Sequence, residues 1–177
     1  MKKFLTVALA VWFLTMSVAF AEAYYEPPRF LNGDQNYLNV GGITRLHFYL
    51  NTGSIKVTVN DPPYHIITAE VLYVHYNDLR QNATGKIGEQ HKFIFFYDED
   101  EVDMRAKDGI DADWKFVSPH DDVEPELFIG EAVFYISQGR KFYGDYSWMY
   151  WETLDRLVEH KPTYWNAFND SFYEKLR

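Results

Sequence analysis

The chain opens with a run of 17 almost wholly apolar residues, positions 4–20, preceded by Lys2 and Lys3 and closed by Ala19-Phe20-Ala21. A positive start, an apolar middle and small residues at the end form the pattern of a cleavable export signal. Seventeen residues is the short end of the roughly 17–25 that a membrane-spanning helix needs. A polar, proline-containing stretch, positions 22–28, follows directly. These features favour cleavage over a retained anchor, so residues 1–21 are expected to be a signal peptide, leaving an extracytoplasmic protein without a membrane span. Residues 22–36, with Pro27-Pro28 and Asn32-Gly33-Asp34, read as an irregular lead-in.

From position 37 the period of the apolar residues is two, the period of a strand. A strand is expected at 37–40, ended by Gly41-Gly42, followed by a pair at 46–50 and 55–59 turning about Asn51-Thr52-Gly53-Ser54. Ile55, Val57 and Val59 alternate with Lys56 and Thr58, as on a half-buried strand. Asn60-Asp61-Pro62-Pro63 stops it, because proline cannot donate to a sheet ladder. Residues 64–76 are apolar on both faces, with Ala69, Val71 and Tyr73 on one and Leu72, Val74 and Tyr76 on the other, so this strand is expected at the sheet centre. After a polar loop at 78–90, strands are expected at 91–97, 102–105 and 114–117, separated by acidic turns.

Beyond an acidic loop at 119–126 the period changes to that of a helix. Ile129, Val133 and Ile136 share a stripe, and Gly139 is a natural stop. Trp148, Trp151, Leu154 and Val158 recur at helical spacing, as do Trp165, Phe168, Phe172 and Leu176. The expected fold class is therefore α+β: an antiparallel β-sheet of about five or six strands followed by two or three C-terminal helices. The expected organisation is a signal peptide (1–21), the lead-in (22–36), an α+β domain (37–144) and an aromatic-rich helical segment (145–177).

Composition narrows the function classes. The full chain has no cysteine, which removes disulfides, thiolate metal sites, cysteine nucleophiles and lipid attachment through a lipobox. Its 17 Lys+Arg against 26 Asp+Glu give a net charge of −9, and losing Lys2 and Lys3 with the signal takes this to −11. Such a surface repels phosphate backbones, so nucleic acid is not an expected partner.

Catalytic chemistry leaves no recognisable mark. None of the six histidines stands in a close metal pair. His65 and His75 are ten residues apart, about 33 Å along an extended strand. The acidic runs Asp98-Glu99-Asp100-Glu101 and Asp108-Gly109-Ile110-Asp111-Ala112-Asp113 do not fit a calcium loop and read as solvated turns. There is no nucleophile elbow and no glycine-rich phosphate loop. Glu131, just after Gly130 on the helical stretch, is the most conspicuous carboxylate, and a solubilising or dipole-compensating role accounts for it.

Thirty-three aromatic residues remain, 14 Tyr, 14 Phe and 5 Trp. Most are expected to fill the core. The cluster Tyr143, Tyr146, Trp148, Tyr150, Trp151 and Trp165 exceeds what short helical faces need. Within it, Tyr143, Tyr146, Trp148 and Tyr150 form the candidate partner surface, since Trp and Tyr are frequent interface anchors, while Trp151 and Trp165 are expected in the core.

The order of several short pieces carries a resemblance. Tyr49-Leu50-Asn51-Thr52-Gly53-Ser54-Ile55-Lys56-Val57, then Asp61-Pro62-Pro63-Tyr64 with Ile66-Ile67, Phe95-Phe96-Tyr97, Met104, Trp114 and Gly130-Glu131-Ala132-Val133-Phe134-Tyr135 resemble surface-adhesin protein E-like domains and related secreted bacterial proteins. The resemblance spans about residues 37–144. It implies a small exported α/β domain of the bacterial envelope that binds host matrix proteins. The chain departs from that adhesin in lacking a cysteine for a lipid anchor. The expected function is thus a non-enzymatic envelope or surface protein with host or envelope protein partners and no cofactor or metal. The alternatives are an extracytoplasmic glycan hydrolase with an unplaced carboxylate pair and a periplasmic accessory protein.

Overall fold

The computed structural model describes residues 27–76, 85–119, 124–146 and 168–177, with backbone alone for 145 and 146. Six strands form one antiparallel meander in chain order: β1 (Tyr37–Ile43), β2 (Leu46–Asp61), β3 (Tyr64–His75), β4 (Lys86–Asp98), β5 (Asp103–Asp108) and β6 (Lys115–Phe116). Three α-helices are described: α1 (Pro125–Gln138), α2 (Tyr143–Tyr146) and α3 (Asp170–Leu176). The α+β class is as the periodicity requires. The expected helical stretch around 148–165 lies outside the described residues.

The alternation of β3 and β4 decides where the core sits. Ile67, Ala69 and Val71 on β3 and Phe93, Phe95 and Tyr97 on β4 are all buried on the face that α1 covers. α1 lies close to the sheet because Gly130 has no side chain: a Cβ there would stand 2.4 Å from Met104 Sδ. Tyr97, buried beneath the helix, donates its hydroxyl to the Gly130 carbonyl at 2.8 Å. Burial raises the Tyr97 pKa, keeping the phenol a donor. Gly139, in the left-handed conformation at φ 72°, ends α1, as the sequence indicates.

Among the described residues, the opposite face of the sheet is covered only at one end. There the lead-in folds back: Phe30 bridges to Leu38, and Leu31 packs into a second small core with Tyr49, Leu72, Val74 and Tyr76. The Tyr49 hydroxyl donates to the Pro28 carbonyl at 3.0 Å and lies 2.7 Å from the Tyr76 hydroxyl. This accounts for the apolar character of both faces of β3.

Four expectations about the strands are corrected. Gly41-Gly42 is not a turn, because β1 runs on to Ile43. The register shift between Asn39 and Gly41 is a bulge, with Gly41 at φ 151° and its N–H donated to Asn39 Oδ1. Asn51-Thr52-Gly53-Ser54 is likewise no hairpin but an irregularity within the single long β2. The Ser54 hydroxyl there donates to the Asn51 carbonyl at 2.6 Å and accepts the Glu70 N–H at 2.8 Å, replacing the ladder bonds that the bulge interrupts. A further shift between Val57 and Val59 sends these two side chains to opposite faces, which breaks the half-buried alternation expected for 55–59. Residues 86–90, expected in a loop, extend β4 by pairing with the far end of β3.

Candidate binding surface

Register builds a continuous row across the end of the sheet that the described lead-in does not cover. Val59 pairs with Ile66, Ile66 with Phe96, Phe96 with Arg105, and Arg105 with Phe116. These residues alternate with the buried Phe95 and Tyr97, so the row lies on the face away from α1. The bulge between Val57 and Val59 matters here, because it places Val59 at the head of the row.

Aromatic rings thicken the row. Tyr64, two residues from Ile66, stacks on Phe96 with centroids 6.1 Å apart and planes at 20°. Trp114 meets Phe96 edge-on at 6.4 Å. The Lys107 ammonium stands 5.1 Å from the centroid of the Trp114 ring and donates to the Ile110 carbonyl at 2.7 Å. Relative exposures of 46 % for Tyr64, 44 % for Trp114 and 54 % for Phe116 are high for aromatic side chains. Arg105, in the middle of the row, is held by Asp103 through two hydrogen bonds of 2.8 and 2.6 Å. The result is a braced aromatic surface crossed by the Arg105–Asp103 ion pair. Aromatic residues together with Arg are enriched at protein interfaces.

The partner surface expected from the sequence is placed differently. Tyr143 is buried, 2 % exposed, with its hydroxyl donated to the Val117 carbonyl at 2.6 Å and its ring against Phe142. It is a core residue because the chain turns inward after Gly139, packing the Phe142 ring against Phe134 and Tyr97 and drawing the adjoining Tyr143 in with it. The side chain of Tyr146, together with Trp148, Tyr150, Trp151 and Trp165, lies outside the described residues. Sequence reasoning missed Tyr64, Phe96 and Phe116 as surface groups, since their period of two reads equally as core; the exposed-face signal was the alternation of Phe96 with Phe95 and Tyr97.

Glu131 is not a solubilising helix residue. It is fully buried, and its carboxylate accepts the N–H groups of Phe142 at 3.0 Å and Tyr143 at 2.8 Å and the Tyr173 hydroxyl at 2.6 Å. One side chain thus joins α1 to the start of α2 and to α3. Burial pushes its pKa up, against the hydrogen bonds, which favour the ionised form.

A second charged network closes the β2–β3 and β4–β5 turns. His65, 1 % exposed, lies with Nδ1 2.8 Å from Asn60 Oδ1 and Nε2 against Glu99, while Arg140 holds both oxygens of Glu99. The Arg140 hydrogen bonds, with help from His65, hold the Glu99 carboxyl below its ordinary pKa. Arg140 also lies over the Phe134 ring. No nucleophile is among these contacts, and the network ties turns to the end of α1. The other acidic turn residues do not converge: among the described residues no group of three or more His, Asp or Glu side chains is arranged to hold a metal ion. No described helix is long and apolar enough to cross a membrane.

No family model, no curated protein and no solved structure matches this chain.

Proposed function

We propose that this is an exported, non-enzymatic binding protein that engages partner proteins of the host matrix or the bacterial envelope through the exposed face built on Tyr64, Phe96, Trp114 and Phe116. The observation that carries this reading is the aromatic row itself. Trp and Tyr supply interface hot spots because they bury large areas at little cost in side-chain entropy, and here the Tyr64 and Trp114 rings are each braced against Phe96. Export follows from the Lys2, Lys3 and Ala19-Phe20-Ala21 pattern. The strongly acidic balance favours partners other than nucleic acid.

Replacing Tyr64, Trp114 and Phe116 together by serine tests the reading. With hot-spot anchors worth about 2 kcal/mol or more each, the triple variant should bind matrix or envelope partners at least 30-fold more weakly, with an unchanged far-UV circular dichroism spectrum. Full binding by this variant would end the proposal.

A further inference from the structure

We infer that the cleft between the lead-in, β1 and α3 is a separate small-molecule site, and that its ligand is an amphiphilic monocarboxylate. The cleft has a volume of about 700 Å³ and is walled by Arg29, His47, Phe128, Phe172, Lys175 and Leu176 among others. That volume is within the roughly 300–1,000 Å³ of small-ligand sites. It shares no residue with the aromatic row: its walls come from the lead-in, β1, the first residues of β2, α1 and α3, whereas β2 contributes to the row only through Val59, twelve residues beyond His47.

The charge of the lining selects the sign of the ligand. The whole chain carries a net charge of −9, yet no Asp or Glu lines the cleft among the described residues, whereas Arg29 and Lys175 do. Arg29 is steadied by packing its guanidinium over the Phe30 ring, 5.1 Å from the centroid. A guanidinium matches a carboxylate with two parallel hydrogen bonds. Phe128, Phe172 and Leu176 provide apolar surface for the rest of the molecule.

The floor is shaped by two glycines. A Cβ on Gly42 would stand 2.3 Å from His47 Nδ1, and one on Gly41 would stand 3.2 Å from Phe128 Cγ. Any larger residue would displace the imidazole or the ring that define the cleft. His47 is further fixed edge-on to Tyr76 at 5.6 Å. Backbone exposed at paired glycines, an imidazole, two cations and apolar walls together suit a ligand with one anionic end and an apolar body.

Calorimetric titration of the purified protein with decanoate, and separately with 1-decanol, decides the matter. Decanoate should bind saturably at one per chain, and R29Q/K175Q should weaken it at least tenfold while leaving decanol binding unchanged. A second variant, S171W, should block both by filling the rim, because Ser171 lines the cleft. Absence of saturable decanoate binding, equal affinity for decanol, or wild-type affinity in R29Q/K175Q would each overturn the inference. The Tyr64, Trp114 and Phe116 triple variant should retain decanoate binding, so this site and the protein-binding face stand or fall independently.

Discussion

Replacing Glu131 separates a structural carboxylate from an ordinary helix-surface glutamate. Removing the side chain in E131A strands two buried amide N–H groups, those of Phe142 and Tyr143, and deprives the Tyr173 hydroxyl of its acceptor. Each buried unsatisfied donor costs about 1–3 kcal/mol. Relief from burying a carboxylate returns part of that, so the expected net loss is about 3–5 kcal/mol. E131Q keeps the volume and one oxygen but turns an amide NH₂ toward a donor, and should cost about 1–3 kcal/mol. Urea unfolding followed by tryptophan fluorescence reads both as shifts in midpoint at constant slope. Y173F should cost about 1 kcal/mol, and E131Q/Y173F should lose at least 0.5 kcal/mol less than the sum, because the two share one hydrogen bond. The sign of the pH effect is also set. Because the folded pKa of Glu131 is raised, its contribution is complete below the ordinary value of 4.5 and declines as pH rises through the folded value. The deficit of E131Q relative to wild type should therefore be larger at acid pH. A surface glutamate would change stability by no more than about 0.5 kcal/mol; that result for E131A would refute the reasoning.

Other consequences concern the frame around the binding face. G130A should lose about 1–3 kcal/mol in the same unfolding assay, since the added methyl collides with Met104 and Phe95 in a packed core. E99Q should flatten the acid limb of the stability profile: the lowered Glu99 pKa contributes stability above 4.5 that is lost as pH falls through the folded value, and the variant has no such loss to suffer. Thermal melts from pH 3 to pH 7 show the difference.

How much was legible in the sequence depended on which force fixed each element. The class, the central place of β3, the stop at Gly139 and the proline turn after Asp61 follow from local periodicity and backbone chemistry. They needed no tertiary knowledge. The β2 bulge did not announce itself because Ser54 supports it by reaching Glu70 across the sheet; the β1 bulge rests on a local bond from the Gly41 N–H to Asn39, but a Gly-Gly pair reads equally as a turn. Polar residues 86–90 form a strand because the length of β3 supplies a partner, which outweighs their weak strand propensity. Glu131 looked ordinary since the groups that surround it lie 11, 12 and 42 residues away. The aromatic face was hidden for a related reason: Val59, Ile66, Phe96 and Phe116 come from four strands and become neighbours only through register. Tyr143 was misplaced because aromatic enrichment alone does not distinguish a surface ring from a core one.

Solid-phase binding of the purified protein to a panel of matrix proteins and envelope fractions, wild type beside the Tyr64, Trp114 and Phe116 serine variant, tests the central claim most directly. The account predicts saturable binding by the wild type to at least one matrix or envelope component, weakened at least 30-fold in the variant at unchanged urea midpoint. Equal binding by the two proteins, or no saturable binding to any member of the panel, would contradict it.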